Sequence, residues 1–167
     1  MLSVPTWLVV LIGLLFNISA ALITHFIIDE KTNQLNSLSM QMNNNEKEIS
    51  LLWAQIEGVE RKRETLYLLA NQGQLNEQIA TQFSRLLAYH LQEQLPLTDI
   101  KLVDNKIDAY QDDIRNEIDN KFFLNLELVE LEMLLQSEVS GLRNWSIFLQ
   151  MIGLSLILAR DLTRKTT

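Results

Sequence analysis

The sequence predicts an all-α membrane protein: two antiparallel transmembrane helices continuing into a long helical-hairpin, coiled-coil-like extramembrane domain that carries a third, shorter helix. Three observations carry this prediction. Two uncharged apolar blocks stand at 7–28 and 144–159 of a 167-residue chain. Between them runs a polar stretch whose apolar residues recur at alternating steps of three and four, the spacing of one helix face. Only five Gly and two Pro are present, and both Pro lie outside the periodic segments, which favours helix over sheet. The expected division is an N-terminal segment with the first span at 1–29, an extramembrane helical domain at 30–142, a second span at 143–160 and a short basic tail at 161–167.

The first block has no charged side chain before Asp29. As a helix, 7–28 covers about 33 Å, enough to cross a hydrocarbon core of about 30 Å. A cleaved signal peptide is the rival reading, with Ser19 and Ala21 at the small-residue positions. The leading segment lacks Lys and Arg, however, and the apolar run continues through "LITHFII", so an uncleaved span is expected.

In the polar middle, Leu35, Leu38, Met42, Asn45, Ile49, Leu52, Ile56, Val59, Arg63, Leu66 and Ala70 form one seam, broken only by Asn45 and Arg63. Its apolar members are assigned as a surface for self-association or for a partner. "NQGQLN" around Gly73 reads as a helix stop. A shorter helix, 75–94, then ends at Pro96, and Thr98 or Asp99 is placed to cap the next. That last helix carries a seam at Val103, Ile107, Tyr110 and Ile114, which is expected to shift through Ile118 and Phe122 to Val129 and Met133 as a stutter. The segment "FFLNLELVELEMLL" is apolar around more than one face, which suggests burial against another helix or subunit.

The second block, 144–159, covers about 24 Å as a helix, near the lower limit for a span. Trp145 is positioned as an interfacial anchor, with Arg143 and Arg160 able to snorkel at the ends. A buried core helix is the competing reading; the existence of a first span favours a second. The ending carries Arg160, Arg164 and Lys165 against Asp161, so both termini are expected in the cytoplasm of a bacterial inner membrane and the helical middle outside it.

Within the spans, Gly13, Asn17 and Thr24 fall on one stripe, with Ala20 or Ala21, and Ser146, Gln150 and Gly153 on another. Small residues let helices approach, and amides and hydroxyls bond across them where an unpaired amide is costly. Asn17 and Gly153 are expected at comparable depths. His25, near the outer end, is placed to sense pH or to sit in the interface.

Other chemistry finds little support. The net charge is −7, and 29–143 holds 20 acidic residues against 11 Lys and Arg, so no basic stripe is available for nucleic acid. The absence of cysteine excludes thiolate metal sites, disulfides and Cys nucleophiles. Asp104, Asp108 and Asp112 share a helix face, but one straight helix cannot wrap a cation, so a solvated acidic face is expected. Arg85 and His90 are similar in spacing to the bare Arg-x4-His of a superfamily of helical ribonucleases; the intervening residues are apolar, and a solvated Arg with a half-buried His is the reading adopted.

No catalytic, cofactor-binding or metal residue is therefore assigned, and no cofactor is expected. The ends outside the spans are too short to fold, so no cytoplasmic output domain is expected. Span, helical ectodomain and span are similar in architecture to the input half of bacterial chemoreceptors and sensor kinases. The function expected is a non-enzymatic scaffold or accessory subunit whose partners are itself, a larger membrane protein and the bilayer. An oligomeric pore or an envelope sensor subunit are the alternatives.

Overall fold

The computed structural model describes residues 5–97 and 99–164. It is all-helical, with no strand among the described residues. Helix α1 (Thr6–Leu22) passes through a π-turn (Ile23–Ile28) directly into α2 (Asp29–Asn71); α3 (Glu77–Leu91) and α4 (Ile100–Arg164) follow. Two of these helical runs are long and apolar enough to cross a membrane, Thr6–Asn71 and Ile100–Ala159. Thr98, considered as a cap, and the side chains of the basic ending from Arg160 through Lys165 lie outside the described residues.

The boundaries follow from local chemistry. Pro5 has the fixed φ of a residue leading into a helix and lacks a donor that would go unpaired there. At the end of α2, Gly73 sits at φ +64. Its N–H donates to the Ala70 carbonyl at 3.2 Å while Gln74 N–H donates to Leu69 at 3.0 Å, the pair of bonds that closes a helix on a left-handed glycine. The third helix is shorter than the expected 75–94 because both ends are capped inside that range. Asn76 accepts from Ile79 N–H at 2.8 Å, and Gln92 takes φ 55 one residue beyond Leu91. Asp99 begins α4 by accepting from Leu102 N–H at 3.1 Å.

The chain divides into two compact units, Met42–Leu126 and Met1–Gln41 with Glu127–Thr167. The first of these holds two apolar clusters. Val59 and Leu66 of α2, Phe83 and Leu87 of α3, and Val103 and Ile107 of α4 pack together with Leu95 and Leu97 of the connecting loop. Leu52 and Ile56 pack on Ile114 and Ile118. Beyond them the contact turns polar: Asn45 Nδ2 donates to Asn125 Oδ1 at 2.8 Å, and Lys121 pairs with Glu48. Along this unit the partners on α4 rise in number, from Asp108 to Asn125, as those on α2 fall from Arg63 to Asn45.

One expectation is overturned here. The seam of α4 does not shift toward Phe122, Val129 and Met133, which are 55%, 39% and 59% exposed. It keeps its three-four spacing through Ile114, Ile118, Lys121 and Asn125 in this unit, and through Leu128, Glu132, Leu135 and Val139 in the other. Polar residues hold the phase because α2 offers polar partners opposite them, so the apolar residues that suggested a stutter lie beside the seam.

The unit Met1–Gln41 with Glu127–Thr167 contains α1, the π-turn, the start of α2 and the second half of α4. Ala20, Ile28, Leu128 and Val139 are its buried apolar residues, and Lys31 Nζ reaches Glu138 Oε2 at 2.5 Å. From Ala20 to Ile28 the inward-facing positions are eight residues apart, where the spacing elsewhere would use seven. The π-turn absorbs the extra residue, its Asp29 N–H bonding back five residues to the Thr24 carbonyl.

Candidate functional site

Among the described residues, the two apolar segments meet closely, in α1 and the end of α4. The contact is built on backbone proximity at two glycines. A Cβ on Gly13 would stand 2.7 Å from the Gly153 carbonyl oxygen, and one on Gly153 would stand 2.6 Å from the Gly13 carbonyl oxygen. Each glycine is thus required by the other's backbone. Asn17 lies over the same crossing: its Nδ2 donates to the Gly13 carbonyl at 3.1 Å and would be 2.7 Å from a Cβ at position 153.

Two turns further along α1, the contact is made by hydroxyls. Ser146, buried on α4, donates to the Ala20 carbonyl at 3.0 Å and stands 2.8 Å from Thr24 Oγ1. Thr24 Oγ1 also reaches the Ala20 carbonyl, at 3.0 Å. With Ser146 donating to Ala20, the single Thr24 proton can go either to the Ala20 carbonyl or to Ser146 Oγ, so neither donor is left unmet in an apolar setting where an orphan would cost about 1–3 kcal/mol. The geometry brings together Gly13, Asn17, Thr24, Ser146 and Gly153, and Ala20 rather than Ala21 completes the first stripe.

Gln150 stands apart from them. Its neighbour Leu149 takes the half-buried position between Ser146 and Gly153, and Gln150 is exposed with no hydrogen-bond partner among the described residues. Polar character alone pointed to 146, 150 and 153; the alternating step selects 146, 149 and 153. The outward faces are otherwise apolar, carrying Trp7, Leu15, Ile18 and Leu22 on α1, and Phe148, Met151 and Leu154 on α4. His25 lies on an exposed surface, with Nδ1 3.1 Å from Asp29 Oδ2 and its ring edge-on to Phe26.

The heptad residues assigned to a partner are used within the chain. Leu52, Ile56, Val59 and Leu66 are buried against α3 and α4, Met42 and Ile49 are half-buried in the same unit, and Leu35 and Leu38 are half-buried in the other.

The acidic face of α4 is also engaged. Tyr67 donates to Asp104 at 2.6 Å, Arg63 to Asp108 at 2.7 Å and Arg115 to Asp112 at 2.8 Å. Among the described residues no group of three His, Asp or Glu is placed to hold a metal. The phenol of Tyr67 is pushed above its usual range, first by the bond to Asp104 and then by desolvation. Arg85 is exposed, whereas His90 is half-buried and edge-on to Tyr89 and Tyr110. Burial, and then the Lys62 ammonium, push the His90 imidazole below its ordinary value; Lys62 donates to the Leu86 carbonyl at 3.1 Å.

Sequence reasoning missed the π-turn, the Lys31–Glu138 pair and the polar part of the seam. Only the last left a signal, since counting by three and four from Ile118 leads directly to Lys121 and Asn125. No protein-family model, curated protein or solved structure matches the chain.

Proposed function

We propose that this chain is a non-enzymatic integral membrane protein of a bacterial inner membrane, an oligomerising scaffold or accessory subunit whose two apolar segments form an antiparallel membrane hairpin. The observation that carries the proposal is the division of faces in those segments. Glycines, amide and hydroxyls are turned to the partner segment, while Trp, Leu, Ile, Phe and Met are turned outward and left uncovered. Water would penalise that outward surface by roughly 25 cal/mol for each Å², whereas lipid accepts it and leaves close backbone approach and hydrogen bonds to hold the helices together. The charges near the second segment support a cytoplasmic location for both termini and an extracytoplasmic location for the polar middle.

The proposal is tested by alkaline carbonate extraction of membranes containing the full chain, with labelling of single cysteines at Asn71 and Thr166 in intact cells. We expect the chain to stay in the pellet and Asn71→Cys alone to react from outside. Release into the supernatant would refute the membrane reading, and labelling of Thr166→Cys alone would reverse the topology. The pore alternative draws on the exposed amide of Gln150. It predicts ion flux through liposomes that falls on Gln150→Leu; absence of flux from loaded liposomes discards it.

A further inference from the structure

We infer that Gln150 is the contact by which two copies of the chain pair inside the bilayer, amide to amide across a two-fold axis along the membrane normal. This deepens the scaffold proposal and rests on its membrane reading. Gln150 stands near the middle of the second apolar segment, the depth at which an unsatisfied amide costs most. It is exposed and has no partner within its own chain among the described residues. The nearby polar groups of this segment are already served: Ser146 bonds to Ala20, and Ser155 donates to the Met151 carbonyl at 2.7 Å.

The chemistry names the occupant. A primary amide carries both donors and an acceptor, so it is complementary to a second copy of itself. Copies inserted with the same topology place Gln150 at the same depth, so a two-fold axis along the normal sets the two amides opposite each other in register. A different membrane protein would have to offer a polar group at that depth independently. The flanking positions fit a helix contact, because Ile147 and Leu154, both exposed, lie three residues before and four residues after Gln150 on the same flank of α4. The contact leaves the hairpin's own packing untouched, since Leu149, Ser146 and Gly153 occupy the adjoining face.

The natural chain contains no cysteine, so single substitutions report the contact without background. Cysteines placed singly at positions flanking Gln150 in the full chain, oxidised in native membranes, are expected to give covalent dimers at Ile147→Cys and Leu154→Cys and little at Leu149→Cys or Met151→Cys. In parallel, energy transfer between labelled copies in liposomes should report dimerisation weakened roughly 3- to 30-fold by Gln150→Leu, the range for one interhelical hydrogen bond, and largely retained by Gln150→Asn. Dimers that peak at Met151, a cross-link to another protein, or dimerisation unchanged by Gln150→Leu would each overturn the inference. These outcomes leave the membrane reading standing, because that is judged by carbonate extraction of the same variants.

Discussion

At the residue scale, the five glycines do different work, and the difference can be measured. Gly13 and Gly153 meet each other's carbonyl within 2.7 Å of where a Cβ would stand, and carbonyl oxygens of packed helices cannot swing aside. Gly58 meets nothing within 4 Å, so its missing side chain only weakens the helix. In mild detergent, Gly153→Val should lower the thermal midpoint with a cost of about 1–3 kcal/mol, as overpacking does. Gly58→Ala should instead raise stability by about 0.5–1 kcal/mol through helix propensity. His90 supplies a pH-dependent term. Its pKa in the folded chain is below the ordinary 6.5, because burial and Lys62 oppose the imidazolium. The unfolded chain therefore binds the proton first as pH falls, and stability is lost through the window below that value. The urea midpoint should be lower at about pH 5.5 than at about pH 7.5, and His90→Gln should flatten that difference. An unchanged slope in the variant would assign it to other groups.

At the element scale, the long helices show why part of the architecture was legible and part was not. The seam of α2 from Leu35 to Ala70 could be counted because its apolar members recur through several turns, and the structure buries or half-buries each of those positions. Gly73 and Asp99 were legible because a left-handed stop and a side-chain cap each demand a short list of residues. In α4 hydrophobicity pointed to Phe122, Val129 and Met133, while the packing phase continued through Lys121 and Asn125. Sequence alone does not reveal that Glu48 and Asn45 stand opposite to satisfy them. The same limit applied to Gln150, whose polarity resembles that of Asn17 although only Asn17 faces the partner helix. The Asn45–Asn125 pair gives a prediction of its own. A hydrogen-bonded polar pair within a helix seam fixes register at some expense of stability. Asn125→Leu alone leaves the Asn45 amide unpaired and should cost about 1–3 kcal/mol. Adding Asn45→Leu should recover that loss, giving a strongly non-additive cycle. Cysteines at Glu48 and Lys121 should then cross-link less selectively than in the Asn-paired chain.

At the scale of the whole molecule, the decisive property is the solvent to which each surface is suited. Unit Met42–Leu126 buries two apolar clusters, and its surface mixes many charged residues with exposed apolar ones such as Leu51, Trp53, Leu86, Phe122 and Phe123. The apolar segments of the other unit place polar and small groups inside and large apolar side chains outside, with no charged side chain in 7–28 or 144–159. The two solvents predict opposite responses to one kind of substitution. If water covered the outer face, Leu15→Lys or Leu154→Lys would remove an exposed apolar side chain and improve solubility, with a change in stability within about 0.5 kcal/mol. If lipid covers it, each lysine at mid-segment costs about 2.5–3.5 kcal/mol on an insertion scale. The two together should then deplete the chain from the membrane fraction. Glu64→Lys, on the exposed surface of α2, is the matched control and should leave membrane recovery unchanged. Depletion by the outer-face lysines with retention of the control is the result expected of a bilayer-embedded hairpin; equal recovery of all three would return the apolar segments to water.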